Sequence, residues 1–389
     1  MLVVFYFIIF LYHKLELFFI LINMENKICV YAIAKNEEKF VDRWFNSVKE
    51  ADYIVVLDTG STDNTVSELR DLGVKVETKK YNKFRFDEAR NDSLKLVPVD
   101  ANILVCVDID EMFEPGWSKI LKENWTEKVG RARYRYTWNF NEDGSEGIVF
   151  MADKIHRNGL FKWTHPVHEV LSPIQNVEYD TLYLPNIQLN HRADNKKSRS
   201  NYLPLLELSV KEDPSDDRNM HYLGREYMFH GEYNKAIKTL KRHLKLPRAT
   251  WNEERAASMR YIADCYGYLG KYKKQEEYLL RAILEANHVR EPYYQLAVFY
   301  YNRKDYLKSA VYFNEMFKIT NRELNYMSSP ACWSATPYDL LSLCYYYLGE
   351  YKKAIIAVNE AISLSDEPRL KSNRDFYLNK LTENFGNKK

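Results

Sequence analysis

The sequence predicts an α/β domain followed by an all-α solenoid. Short apolar runs alternate with helix-periodic segments from Ile28 to Val107, the pattern of a parallel sheet with crossover helices. Beyond residue 218, an aromatic-rich helix, a Gly-x-Tyr turn and a second helix recur. Hairpins of this kind bury their apolar faces only by stacking on one another. The third observation is chemical. Residues 104–111 read Leu-Val-Cys-Val-Asp-Ile-Asp-Glu, an apolar strand that ends in Asp108, Asp110 and Glu111.

Taken in order, Ile28–Ala34 is a β-branched apolar run and reads as a buried strand, broken by Lys35–Glu38. Phe40, Trp44, Phe45 and Val48 recur at helical spacing. Tyr53–Leu57 is a second strand, closed by Asp58-Thr-Gly60-Ser61-Thr-Asp63. A helix follows through Val66 and Leu69 to Leu72, with Gly73 as its stop. Val74–Glu77 reads as a third strand, Phe86–Leu96 as a helix and Ile103–Val107 as the fourth strand. From Arg131 to Trp138 the residues alternate as in a strand, whose arginines form either a solvated face, the preferred reading, or a basic face toward a ligand. Asn141–Gly147 is a polar turn, and short strands continue to about Leu189. Residues 192–217 read as a connecting helix and linker.

The repeats show as Gly231-Glu-Tyr233, Gly270-Lys-Tyr272, the degenerate Lys304-Asp-Tyr306, and Gly349-Glu-Tyr351. The preceding helices are Tyr222–Phe229, Tyr261–Tyr268, Tyr293–Tyr301 and Leu340–Tyr347. Helix, turn and helix at about 34 residues is the tetratricopeptide pattern. The tyrosines are expected to serve packing. The expected division is an apolar extension over 1–23, an α/β domain over 24–191, a linker helix over 192–217 and the repeats over 218–389.

A chain of 389 residues is ample for two or three cores, and its net charge of +2 gives no global field for nucleic acid. Five scattered cysteines inside apolar segments read as buried thiols in a reducing compartment, not as a disulfide framework or zinc site. Residues 1–22 are apolar but interrupted by His13, Lys14 and Glu16. With no basic leading region they do not read as a signal peptide. Two readings stand: a start placed upstream of Met24, which is preferred, or a membrane-associated anchor. The expected location is cytoplasmic.

Acids crowded at a strand's end repel one another unless a cation sits among them. Carboxylate oxygen sites suit Mg²⁺ or Mn²⁺, which also bind substrate phosphates. In parallel sheets, ligands lie beyond the carboxyl ends of the strands. Three such ends are polar here: Asn36-Glu37, Asp58 to Asp63, and Asp108 to Glu111.

Ala34-Lys-Asn36-Glu37-Glu38, Asp58-Thr-Gly-Ser-Thr-Asp63, Ala89-Arg90-Asn91 and Asp108-Ile-Asp110-Glu111, in this order, resemble the family 2 glycosyltransferases of GT-A fold. With the repeat tail, the chain is similar to bacterial enzymes that glycosylate peptides, including S-glycosyltransferases. The resemblance implies a Rossmann-like nucleotide-sugar domain ahead of a tetratricopeptide solenoid. It implies that Asn36 and Glu37 border the nucleotide, that Asp58 contacts base or ribose, and that Gly60, Ser61 and Asp63 shape its loop. Asp63 has a simpler role open to it as a helix cap. Arg90 is expected near the nucleotide, or else in a surface ion pair. Asp108 would hold ribose or sugar hydroxyls, and Asp110 would ligate Mn²⁺ or Mg²⁺ on the diphosphate, with His191 as a further metal ligand.

Inverting transfer also needs a base on the acceptor's side. Glu169 or His168, in Trp163-Thr-His165-Pro-Val-His168-Glu169, is expected to supply it. A second reading leaves that segment only shaping the acceptor pocket, with Trp163 against a sugar ring. The implied partners are a nucleotide-sugar donor, most plainly a UDP-sugar, and a peptide, protein or glycan acceptor. The repeats would dock the acceptor or form a homodimer. A non-catalytic repeat scaffold is the competing class, and intact Asp58, Asp108 and Asp110 speak against it. A nucleotidyltransferase would need a glycine-rich basic loop where Lys35-Asn-Glu-Glu stands.

Overall fold

The structure, a computed structural model, describes residues 25–192 and 202–386. The apolar extension and the first part of the expected linker lie outside the described residues. No described helix is long and apolar enough to cross a membrane.

The chain opens with β1 (Ile28–Ala34), α1 (Glu38–Val48), β2 (Tyr53–Asp58), α2 (Thr65–Asp71), β3 (Lys75–Thr78), α3 (Phe86–Leu94) and β4 (Ile103–Cys106). These match the expected elements to within about two residues. Then come β5 (Glu111–Phe113), α4 (Trp117–Asn124), β6 (Val129–Thr137), β7 (Val149–Arg157), β8 (Phe161–Thr164), β9 (Val170–Pro173) and β10 (Asp180–His191). One eight-stranded sheet runs β3-β2-β1-β4-β7-β6-β10-β5, and β8 pairs with β9.

The sheet is parallel from β3 to β4. From there it is mixed, since β7 runs antiparallel to β4 and β5 antiparallel to β10. β4 is buried along its whole length and β1 at all but one position, which is why both read as continuous apolar runs. α1 buries Phe40, Val41, Trp44 and Val48, one helical stripe. Cys29, Tyr31, Leu104, Cys106, Phe161 and Trp163 share one core, and all five cysteines are free and buried.

The second part of the chain is helical. It begins with α5 (Tyr202–Glu212), α6 (Asp217–Phe229), α7 (Tyr233–His243), α8 (Asn252–Tyr268) and α9 (Tyr272–Glu285). It continues with α10 (Arg290–Asn302), α11 (Tyr306–Phe317), α12 (Thr336–Tyr347), α13 (Tyr351–Leu364) and α14 (Pro368–Gly386). The four turns share one hydrogen-bond pattern. In the first, Gly231 N donates to Met228 O and Glu232 N to Tyr227 O, a Schellman motif. The same pair of bonds closes the turns at Gly270, Lys304 and Gly349. Each of those four residues has positive φ, and Lys304 adopts +60° without being glycine.

The turn tyrosines do pack: Tyr233 stacks on Tyr268 with centroids 4.8 Å apart, and Tyr306 on Tyr347 at 4.4 Å. Tyr272 lies 3.9 Å from the Arg303 guanidinium.

The chain divides into two compact units. One comprises 25–136, 152–164 and 170–192 of the described residues. The other comprises 137–151, 165–169 and 202–386. Two short segments thus group with the helices. Met151 N donates to Leu324 O at 3.4 Å, and the His168 ring stacks on Tyr222 at 4.0 Å.

Candidate active site

The ends of β1 and β2 are stitched by side chains. Asn36 takes left-handed backbone, with φ +55°. Its amide donates to Ser61 Oγ at 2.9 Å, and its Oδ1 accepts from Thr62 N at 2.7 Å. Glu37 N donates to Thr65 Oγ1 at 2.7 Å. Asp58 is 1% exposed, and its carboxylate accepts from Gly60 N and Ser61 N at 3.0 and 3.1 Å. It therefore sets the loop, which turns through Gly60 at φ +110°.

Asp63 does more than cap a helix. It accepts from Thr65 N and Thr65 Oγ1 at the start of α2, and from Glu38 N at the start of α1. Burial would raise its pKa, but these bonds outweigh it and hold the carboxyl below its ordinary value.

The acids beyond β4 divide into two groups. Asp108 takes both arms of the buried Arg90 guanidinium, at 2.9 and 3.1 Å, and Lys154 Nζ at 3.1 Å. Glu111, also buried, accepts from Lys154 Nζ at 2.9 Å, Tyr136 OH at 2.7 Å and the Asp108 amide at 2.9 Å. Burial pushes the Asp108 carboxyl up, but Arg90 and Lys154 hold it well below the usual carboxylate range. The cations among the crowded acids are therefore the protein's own for Asp108 and Glu111. The surface ion pair considered for Arg90 is instead a buried, bidentate one.

Asp110 stands apart from that network. Its Oδ2 lies 3.4 Å from His191 Nε2, at the end of β10, where His191 pairs with Glu111 of β5. Two neighbouring donors of one octahedral ion at about 2.0–2.2 Å sit about 2.8–3.1 Å apart, so a shift of a few tenths of an ångström would let the pair hold a divalent ion. Arg43 of α1 donates to the Arg192 carbonyl at 2.7 Å, which pins the strand end beside this pair.

Trp163 corrects the sugar-ring expectation. It is 4% exposed, its indole donates to Tyr31 OH at 2.9 Å, and Asn91 brackets its backbone with two bonds of 2.9 Å. The Ala89-Arg90-Asn91 motif thus faces the acids with Arg90 and holds Trp163 in the core with Asn91.

His168 and Glu169 belong to the helical unit. His165 and His168 both have positive φ, +77° and +51°, and backbone held this way is concentrated at functional sites. His165 Nε2 lies 3.1 Å from Asp216 Oδ2.

Sequence reasoning missed Lys154 and the role of Glu111. Their one sequence signal is a lysine amid the apolar residues of β7, two positions from buried Ala152 and His156.

The fold is a mixed α/β sheet domain followed by helical hairpin repeats. Residues 29–172 match the glycosyl transferase family 2 model, and residues 335–368 match the tetratricopeptide repeat model. The chain carries a family 2 glycosyltransferase domain followed by tetratricopeptide repeats.

Among curated proteins it is similar to lipopolysaccharide assembly protein B of Escherichia coli, from three strains, at 31% identity over 111 residues. That match covers 28% of this chain and 27% of the relative, so the chain spans about a quarter of the length of those relatives. Among solved structures, MamA aligns at 19% identity over 43% of this chain and 83% of its own, with a TM-score of 0.34. YrrB, a tetratricopeptide protein with an unusual peptide-binding site, aligns at 18% over 44% and 80%, with a TM-score of 0.33.

Proposed function

We propose that this protein moves a sugar from a nucleotide-diphosphate donor, a UDP-sugar, to an acceptor on a peptide or protein, with inversion at the sugar carbon. The observation that carries the reading is the Asp110–His191 pair, 3.4 Å apart, beside the Arg90–Asp108–Lys154 network. The pair would hold Mn²⁺ or Mg²⁺. When bound, such an ion offsets the charge that grows on the departing diphosphate.

The protein's own groups do the rest. Asn36, Glu37, Asp58, Gly60, Ser61 and Asp63 form the wall for base and ribose, fixed by the hydrogen bonds between the β1 and β2 ends. Asp108, oriented by Arg90 and Lys154, accepts from sugar or ribose hydroxyls. Glu169 or His168 takes the acceptor's proton as the new bond forms. The strained backbone at His165 and His168 supports a working role for this segment.

The repeats bring the acceptor close, which raises its local concentration at the reacting carbon. Five buried thiols fit a reducing, cytoplasmic setting.

The test is a thermal-shift screen of nucleotide sugars with Mn²⁺ and Mg²⁺, followed by donor turnover with the one that binds. A ligand specific to the folded state raises the melting point. No response to any nucleotide sugar with either metal contradicts the reading.

A further inference from the structure

The helical unit holds a second group of metal-type donors, none of them assigned a role above. Among the described residues, Asp217, His243 and Glu254 place one ligand atom each within 4.8 Å of the others. They come from the first turn of α6, the last turn of α7 and the first turn of α8.

His243 is fully buried, and its Nε2 has no hydrogen-bond partner. Yet Glu254 Oε1 is only 3.3 Å from that nitrogen. The two atoms are close but misaligned for a hydrogen bond, as two ligands of one ion are. A tetrahedral ion with bonds of about 2.0–2.1 Å sets its donors about 3.3–3.4 Å apart.

The surroundings orient both buried donors. Ser258 Oγ bridges His243 Nδ1 at 2.9 Å and His221 Nδ1 at 2.7 Å. When His243 Nδ1–H donates to Ser258, and Ser258 to His221, the Nε2 lone pair faces the two carboxylates. That arrangement is repulsive without a cation, and it is the tautomer a metal-bound histidine adopts. Tyr326 OH donates to Glu254 Oε2 at 3.2 Å, which leaves Oε1 free to turn toward His243. Asp217 is half-buried and offers a carboxylate oxygen within 4.8 Å of both other donor atoms.

We propose that Asp217, His243 and Glu254 bind one divalent ion of the zinc class, with water completing its shell, and that the ion clips α6, α7 and α8 together. One imidazole and two carboxylates suit zinc, which needs no redox chemistry and takes four ligands. The ion is structural, since the donors sit where three successive helices begin or end.

The test uses the full chain carrying Asp110→Asn and His191→Ala, so that the other donor pair does not contribute. After loading with ZnCl₂ and passage over chelating resin, zinc per chain is measured, together with its K-edge X-ray absorption. The expected result is one zinc with a nitrogen and oxygen shell, no sulfur, and a melting point that rises with zinc. Adding Asp217→Asn and Glu254→Gln should weaken zinc binding at least tenfold, with helical circular dichroism unchanged. No retained zinc, a sulfur-containing shell, or undiminished binding after the two substitutions would overturn the proposal. If the substituted chain loses its helical signal, the count and spectrum from the unsubstituted cluster decide.

Discussion

Asp110 Oδ2 and His191 Nε2 lie 3.4 Å apart at the paired ends of β5 and β10. They are separated by 81 positions along the chain and joined by an antiparallel register in which His191 faces Glu111. Neighbouring Asp108 and Glu111 already have cations of their own, Arg90 and Lys154. Asp110 is instead paired with His191, outside the Arg90 and Lys154 network.

Lys154→Met should destabilise the α/β domain strongly. The substitution leaves Asp108 and Glu111 without the ammonium between them, while Glu111 stays buried. Removing one partner of a buried pair costs about 3–5 kcal/mol. Denaturant unfolding followed by tryptophan fluorescence measures it. A loss below about 1 kcal/mol would mean that the two acids are solvated rather than paired.

Stability should fall as pH drops from about 6.5 toward 4. His156 is buried between Tyr31 OH and the Arg157 carbonyl. Burial lowers its pKa to about 4, helped by Arg131 and opposed by the Arg157 carbonyl. In that window the unfolded chain binds a proton that the folded chain does not, so acid favours unfolding. The full effect is about 3 kcal/mol. His221, also buried and neutral, acts in the same direction. His156→Gln should therefore reduce the slope of stability against pH without removing it. An unchanged slope would show that His156 is already protonated in the fold.

Lys304→Gly should stabilise the repeats by about 0.5–1 kcal/mol. Lys304 occupies the left-handed turn position that glycine fills at 231, 270 and 349, and a side chain there costs about 1–2 kcal/mol, partly offset by glycine's larger entropy in the unfolded chain. A thermal melt of the full chain reads it. A lower melting point would mean that the lysine side chain contributes packing that outweighs the strain.

Tyr222→Ala removes the ring on which His168 is stacked. Under the proposed acceptor role of the 165–169 segment, transfer to peptide should drop about tenfold or more, while metal-dependent donor hydrolysis holds. Equal loss of both rates would instead indicate damage to the whole protein.

Much of this was legible in the residues. The buried strands β1, β2 and β4 announce themselves as apolar runs, and acids at their ends mark the site because ligands gather there. Gly231, Gly270 and Gly349 mark the turns because few other residues take positive φ. Lys304 shows the limit, since its turn is recognisable only by its place in the series. Lys154 was not legible, because its partners are set by the pairing of β7 with β4 across some 50 positions. The burial of Trp163 is not legible for a similar reason: it depends on Tyr31 and Asn91, both far away in sequence. The grouping of 165–169 with the helices rests on contacts to Asp216 and Tyr222 that no local pattern foretells.

The most direct test of the account is donor hydrolysis and transfer by the full chain, with and without Mn²⁺, in wild type, Asp110→Asn and His191→Ala. Wild type should require the metal. Asp110→Asn should lose on the order of 10²-fold or more in rate at saturating donor, and His191→Ala should raise the metal concentration needed for half-maximal rate. Activity in chelator equal to that with metal, or an Asp110→Asn rate equal to wild type, would contradict the central claim that Asp110 and His191 share an ion at the leaving group.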